Sequence, residues 1–338
     1  MATYRDAGVD LEAADAVVDR IKPAVTRTWH DGVIGGFGGF AAGITIPPGY
    51  QNPVLMMSTD GVGTKAELAR RTGRFDGLGW DLVAMCIDDL VAAGARPIAM
   101  TDYMAVSRID VDMVSAIVTS IAGACEEAGV ALLGGETAEH PGVMDTDAFD
   151  LAGAALGVVE ANGVIDGNAV RPGDAVIGLE SPNLRSNGFS FVRMLLDQSA
   201  AFAADFADPN GDTAAMLLEP SVLYTPAVLS LIDAVEVHGL AHITGGGLPG
   251  NIPRILPADC GAVIDTSAWT PPPVFSSLSK MSGAERDELF RTFNMGVGFV
   301  AVVPQRQADD AINVFKAAGK PAMVIGKVEP GDGGVTLD

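Results

Sequence analysis

The sequence predicts a mixed α/β fold, grading into α+β, divided between two domains. Its 338 residues exceed what a single core usually serves. Strand-like and helix-like periodicities alternate through both halves instead of segregating. Between the halves, residues 161–174 gather Asn162-Gly163, Asp166-Gly167 and Pro172-Gly173, chain-breaking pairs that suit a linker. The expected division is an N-terminal arm over 1–50, one domain over 51–168 and a second over 169–338.

The arm opens with an apolar period over 11–21. It then enters Gly35-Gly36-Phe37-Gly38-Gly39-Phe40 and Pro47-Pro48-Gly49. Glycine loses the most backbone freedom on ordering, so this stretch reads as an irregular cover or lid. Residues 54–59 read as a strand and 64–72 as a short helix. Leu78, Leu82, Met85, Cys86, Leu90 and Val91 recur at three- and four-residue spacings, a longer helix stopped by Gly94. Pro97 opens a strand to residue 105, and 111–128 is helical by period, ending at Gly129. Residues 130–133 and 151–159 are strand-like. In the second half, strands are expected over 175–179, 238–244, 262–265, 298–303 and 323–328. Helices are expected over 189–196, 222–235, 284–293 and 307–318.

Composition narrows the function. A net charge of −22 argues against nucleic acid as a partner, because neutralising phosphates takes a basic face. No apolar run is long enough to span a bilayer, and the N-terminus mixes acids among small residues, unlike a targeting signal. Cytoplasm is the expected compartment. Cys86, Cys125 and Cys260 have no metal-like spacing, and the first two sit in apolar helical patterns as small hydrophobes.

Three segments of the first half carry candidate chemistry. Thr59-Asp60-Gly61-Val62-Gly63-Thr64-Lys65 leaves a strand and opens a helix, where backbone N–H groups and the positive helix end suit an anion. Gly61 and Gly63 let a phosphate approach the backbone, Thr64 and Lys65 stand at the helix start, and Asp60 could hold a metal. The spacing is not that of a Walker A loop. Gly61-x-Gly63-x-x-Ala66 also permits a dinucleotide reading, but Asp81, at the distance of the expected acid, lies in a helical pattern. Asp89 sits in the last turns of a helix, where the macrodipole disfavours a carboxylate and a bound cation would favour it. Glu136, in Gly134-Gly135-Glu136-Thr137-Ala138-Glu139, stands after an apolar strand on a loop suited to metal or substrate. Each acid alone also suits a solvated surface. Gathered around phosphates, Asp60, Asp89 and Glu136 would require divalent ions: like charges 4 Å apart repel by about 4 kcal/mol at an effective dielectric of 20. Mg²⁺ with oxygen ligands fits that need.

In the second half, Ser186-Asn187-Gly188 begins a helix. His242-Ile243-Thr244-Gly245-Gly246-Gly247 ends a strand and leads to Asn251 and Arg254. Thr244, the glycine amides and Arg254 suit a monophosphate. His242 reads equally as a substrate contact or as a hydrogen-bonded structural imidazole.

Taken together, Thr3-Tyr4-Arg5-Asp6-Ala7-Gly8-Val9-Asp10, the glycine arm, TDGVGTK, DLVAMC, Asp89-x4-Gly94-Ala95-x-Pro97, GGETAE, SNG and HITGGG with NIPR resemble the phosphoribosylformylglycinamidine cyclo-ligase family, in the family's order. Asp89-x4-Gly94-Ala95-x-Pro97 alone resembles a wider superfamily that includes thiamine-monophosphate kinase, selenophosphate synthetase and a hydrogenase-maturation protein. Asp88 stands where the family more often has Asn. Arg185 stands where His usually precedes Ser-Asn-Gly, so no histidine role is carried to that position.

The resemblance implies ATP and Mg²⁺ as cofactors and formylglycinamidine ribonucleotide as substrate. ATP would phosphorylate the formyl oxygen, and ring closure would give aminoimidazole ribonucleotide, ADP and phosphate. It places Asp60, Asp89 and Glu136 at Mg²⁺-ATP. Lys65 with the Gly61 and Gly63 amides would serve the phosphates, and Asn187, His242, Thr244 and Arg254 the ribotide or site closure. It further implies a homodimer whose N-terminal sheets meet in a barrel, with a C-terminal sheet flanked by helices. Three other readings stay open: a superfamily kinase with another acceptor, a non-catalytic nucleotide-binding subunit, and the weaker dehydrogenase. Lys65→Ala is expected to weaken ATP binding and leave the fold intact.

Overall fold

The structure is a computed structural model that describes residues 7–208 and 211–338. Thr3, Tyr4, Arg5 and Asp6 of the opening motif lie outside the described residues. The chain divides into two compact units. One runs up to Leu90 and adds Arg96–Ala161; the other joins Val91–Ala95 to Asn162–Asp338.

The first unit begins with α1 (Leu11–Arg27), capped by the Asp10 carboxylate. The apolar period suggested a helix ending near residue 21, but the helix continues through Pro23. The glycine stretch is held between two short strands, β1 (Val33–Ile34) and β2 (Gly43–Ile44), which pair antiparallel. There follow β3 (Pro53–Gly61), α2 (Lys65–Thr72), α3 (Leu78–Ala92), β4 (Arg96–Val106), α4 (Val111–Ala128), β5 (Ala131–Glu139) and β6 (Phe149–Glu160). Helix α4 has the expected bounds for local reasons: Asp110 Oδ1 accepts from the Asp112 and Met113 N–H groups, and Gly129 ends the helix at φ +69°.

The four strands lie in the order β3-β6-β4-β5, antiparallel except for the parallel β4–β5 pair. Met100, Asp102, Met104 and Val106 alternate along β4 and are buried. Helices α3 and α4 cross at Gly79, where a Cβ would lie 2.1 Å from the Ile121 nitrogen. On the other face, Leu55, Met57 and Tyr103 are exposed.

Glu136 is not on the expected loop after a strand ending at 133, because β5 continues to Glu139. Its second half is held by β4, with Gly135 opposite Asp102 and Glu136 opposite Tyr103, after a register irregularity between Met100 and Thr101.

The second unit contains β7 (Ala175–Glu180), α5 (Phe189–Gln198), α6 (Ala200–Ala207), α7 (Thr213–Leu218), α8 (Thr225–Ala234), β8 (Gly239–His242), α9 (Gly247–Asn251), β9 (Cys260–Ile264), α10 (Pro273–Ser282), α11 (Arg286–Thr292), β10 (Val297–Val303), α12 (Ala308–Ala317), β11 (Ala322–Pro330) and β12 (Val335–Leu337). Its sheet has the order β12-β9-β11-β7-β10-β8, antiparallel except for β12–β9. Val228 and Leu231 of α8 and Ala311 and Phe315 of α12 share a core with Ile177, Leu179 and Phe299 of the sheet. Periodicity located most of these elements. It missed α6, α7, α9, α10 and β12, none of them longer than ten residues. No helix among the described residues is long and apolar enough to cross a membrane.

Candidate active site

The strand-to-helix turn expected at 59–65 is present, with Gly63 at φ +57° between β3 and α2. Some of its donors are engaged within the fold. The Gly61 N–H donates to Asp60 Oδ1 at 2.7 Å. Lys65 is the first residue of α2 and is fully buried, with its Nζ 2.7 Å from Asp81 Oδ2, a charge contact rather than an aligned hydrogen bond. Asp81, in the first turn of α3, is buried as completely. The expectation that Lys65 has little packing role is therefore corrected: it neutralises a carboxylate inside the core. The signal for this pair was a charged residue at an inward position of an apolar helix.

Asp60 and Asp89 occupy one neighbourhood, each near enough to Cys86 for its charge to act on the thiol. The Cys86 thiol lies 3.9 Å from the Asp60 carbonyl oxygen. Burial pushes this thiol up to about 12, and the Asp60 and Asp89 charges add to the shift. Cys86 is thus an unreactive core residue. Burial raises Cys125 likewise. Glu136 stands elsewhere. Asp60, Gly153, Asp102 and Gly135 pair in one row across the sheet, so Asp60 and Gly135 are three strand spacings apart, about 14 Å. Among the described residues no three His, Cys, Asp or Glu side chains group closely enough to hold one metal. Asp60 and Asp89 still fit Mg²⁺, which takes one or two carboxylates and completes its shell with phosphate and water oxygens.

Sequence reasoning passed over Asp102. It is 7% exposed and lines a cavity of about 590 Å³ bounded by α1, the Gly36–Ala42 segment and the start of β5's second half. Burial pushes its carboxyl up to about 7, opposed only by a hydrogen bond to its own backbone. A Cβ on Gly135 would lie 2.2 Å from Asp102 Oδ1, so glycine there leaves the carboxylate its place. The available signal was one acid at an inward position of an otherwise apolar strand.

The second unit brings its expected residues together. Strand β8 ends at His242, whose ring stacks on Phe299. Arg185 is fully buried at φ +60°, lies 4.7 Å over the Tyr224 ring, and donates to the Val222 carbonyl at 3.0 Å. Its Nη2 is 3.0 Å from His242 Nε2. Guanidinium has only donors, so Nε2 accepts and a neutral His242 carries its proton on Nδ1. Thr244 Oγ1 donates to Asn251 Oδ1, while Asn251 Nδ2 donates to the Thr244, Gly245 and Gly247 carbonyls. This clamp shapes the Gly246-Gly247 turn, with φ +98° and +57°. Asn187 Oδ1 lies against Gly245, and Arg254 Nη1 reaches Asn251 Oδ1 at 3.4 Å. Asn251 is thus the residue that joins Thr244 to Arg254.

Comparison with known proteins gives matches along both units. Residues 41–159 match the family model described as AIR synthase related protein, N-terminal domain, and residues 171–338 match the corresponding C-terminal domain. A phosphoribosylformylglycinamidine cyclo-ligase of Myxococcus xanthus (strain DK1622) is 48% identical over 338 residues, spanning 99% of this chain and 98% of the relative. The fold is shared with a thiamine-monophosphate kinase from Stenotrophomonas maltophilia K279a, at TM-score 0.69 and 21% identity over 96% of both chains. It is shared also with hydrogenase maturation protein HypE in complex with ATP, at TM-score 0.67 and 21% identity over 94% of this chain and 90% of that one. Two domain matches and an end-to-end relative at this identity establish that the chain belongs to the phosphoribosylformylglycinamidine cyclo-ligase family of AIR synthase related proteins.

Proposed function

We propose that the chain closes formylglycinamidine ribonucleotide to aminoimidazole ribonucleotide using ATP, with ADP and phosphate as the other products, in the cytoplasm. The observation that carries this reading is the end-to-end identity with a curated cyclo-ligase, which spans both residue sets described above. ATP transfers its terminal phosphoryl group to the formyl oxygen. A substrate nitrogen then attacks the formyl carbon, and phosphate leaves as the ring forms. Bound Mg²⁺ supplies charge neutralisation between the phosphates and the protein's acids. Asp60 and Asp89 would hold the metal, with Glu136 a further acid toward MgATP. The turn at Gly61, Gly63 and Thr64 faces the phosphates, and Asn187, His242, Thr244 and Arg254 serve the ribotide. The protein's share is to align the reactants and stabilise charge.

The test is formation of aminoimidazole ribonucleotide by the purified chain with ATP and Mg²⁺. Turnover should vanish in EDTA and return with excess Mg²⁺. Ribotide-independent phosphorylation of another acceptor would favour the kinase reading instead.

The glycine-rich stretch acts as a lid in this reading, because a phosphorylated intermediate must be kept from water. Residues 27–42 should be cut readily by protease without ligands and protected by MgATP plus ribotide. Equal cleavage in both conditions would remove the lid. The exposed Leu55, Met57 and Tyr103 on the open sheet face support a homodimer closed through that face. Sedimentation should give a dimer, and Met57→Lys should shift it toward monomer with its helical signal unchanged.

A further inference from the structure

Asp102, in the cavity under the glycine-rich segment, has no role in the proposed reaction, and the chemistry of that cavity is one-sided. Val17, Ile21, Val25, Phe37 and Leu133 give it apolar walls. Among the described residues lining it, the only ionisable ones are Asp102 and Glu136, both acids. Asp102 is more than nine-tenths buried, and no side chain among the described residues donates to its carboxylate. A buried carboxylate without a counter-charge is costly, and an opposite charge entering the cavity would relieve that cost.

The other charges nearby do not supply it. Near Asp102 are Cys125 of α4, which burial keeps a thiol, and Cys86 of α3 close to it. Gly153 of β6 and Gly135 of β5 present no side chain. Helix α1 lines the cavity with Ala14, Val17, Val18, Ile21 and Val25, and its Lys22 sits over the Phe37 ring, 5.9 Å from the centroid, without lining the space.

We propose that this cavity binds a planar nitrogen cation of the amidinium class, held by the Asp102 carboxylate. A hydrated divalent ion suits the place less well. Mg²⁺ gives up its water reluctantly, and Asp102 and Glu136 among apolar walls offer few oxygens to replace it. An amidinium presents two parallel N–H donors to the two oxygens of a carboxylate, and its flat carbon framework tolerates apolar neighbours. The inference deepens the ribotide reading and rests on it for the natural ligand: the amidine of formylglycinamidine ribonucleotide is the group of this class. Asp102 would then orient the amidine, separating this substrate from the amide that differs from it at that one position. Amidines stay cationic across neutral pH, so affinity should rise as Asp102 ionises.

The experiment compares the full-length wild type with Asp102→Asn, which keeps shape and removes charge. Calorimetry would measure binding of formylglycinamidine ribonucleotide and of formylglycinamide ribonucleotide at pH 6 and pH 8. The wild type should prefer the amidine at least tenfold at pH 8 and less at pH 6. Asp102→Asn should bring that ratio close to one at both. A second arm measures thermal shifts with acetamidinium chloride, acetamide and MgCl2 at equal ionic strength. Acetamidinium should stabilise the wild type more than either control, and should lose that advantage in Asp102→Asn. If the wild type forms aminoimidazole ribonucleotide while Asp102→Asn keeps the full amidine preference, the inference is overturned and the cyclo-ligase reading stands. If acetamidinium stabilises the wild type through Asp102 while the ribotide is neither bound nor converted, the cavity assignment holds and the ribotide reading falls. Stabilisation by MgCl2 that depends on Asp102 and exceeds that by acetamidinium would also overturn it.

Discussion

Lys65→Ala is expected to lower the stability of the protein by about 3–5 kcal/mol, the usual cost of leaving one member of a buried ion pair without the other. Lys65 and Asp81 are both fully buried, with Nζ 2.7 Å from Oδ2, so water cannot replace the lost ammonium. A typical domain has about 5–15 kcal/mol to lose, which makes this a large fraction. The double variant Lys65→Met with Asp81→Leu should recover most of the loss, because apolar residues of similar volume often substitute for a buried pair. Denaturant midpoints of the wild type, the single variant and the double variant decide the matter. An unchanged midpoint for Lys65→Ala, together with lost ATP affinity, would return the lysine to the phosphates.

The second large effect depends on pH. Desolvation raises the Asp102 carboxyl from an ordinary value near 3.8 to about 7 in the folded protein. The folded chain therefore holds a proton there across a window in which the unfolded chain has released it. The contribution of this group is fully present below about pH 4 and is lost as pH rises through about 7. It levels off above that, for a total of about 4 kcal/mol. Asp102→Asn has nothing to ionise at this position. Its stability relative to the wild type should increase from pH 4.5 to pH 8 by a few kcal/mol, as read from urea midpoints of both proteins at several pH values. Subtracting one protein from the other removes the effect of the other acids. A pH-independent difference would show that the carboxylate is hydrated. Bound amidinium should shrink the difference at pH 8.

Much of the candidate site was legible because its signals are local. The turn at 59–65 shows in the sequence because a strand pattern stops, glycines intervene and a helical period begins. Asn187 and Gly245 lie far apart in sequence, yet each carried its own turn signature, and the structure brings Asn187 Oδ1 within 3.5 Å of where a Cβ on Gly245 would lie. What sequence reading missed has only a weak local signature. Asp102 is one acid in a strand, and nothing nearby tells whether it faces water or helices. From sequence Asp81 suggests only a dinucleotide ligand, because the partner that explains it lies sixteen residues upstream in another helix.

The sequence by itself determined the element types, the ends of α4, the two-part organisation and the family. Periodicity, caps and glycine turns act over a few residues, and family motifs are read in order along the chain. Only the tertiary structure decided that Lys65 points inward to Asp81, that Glu136 belongs to a strand, and that Asp102 lies bare beneath the glycine segment. It also decided that Asp60 and Gly135 stand at opposite ends of one row. Each of these follows from strand pairing or helix packing between distant segments. Whether a charge is solvated, paired or stranded depends on which distant residue comes to lie beside it.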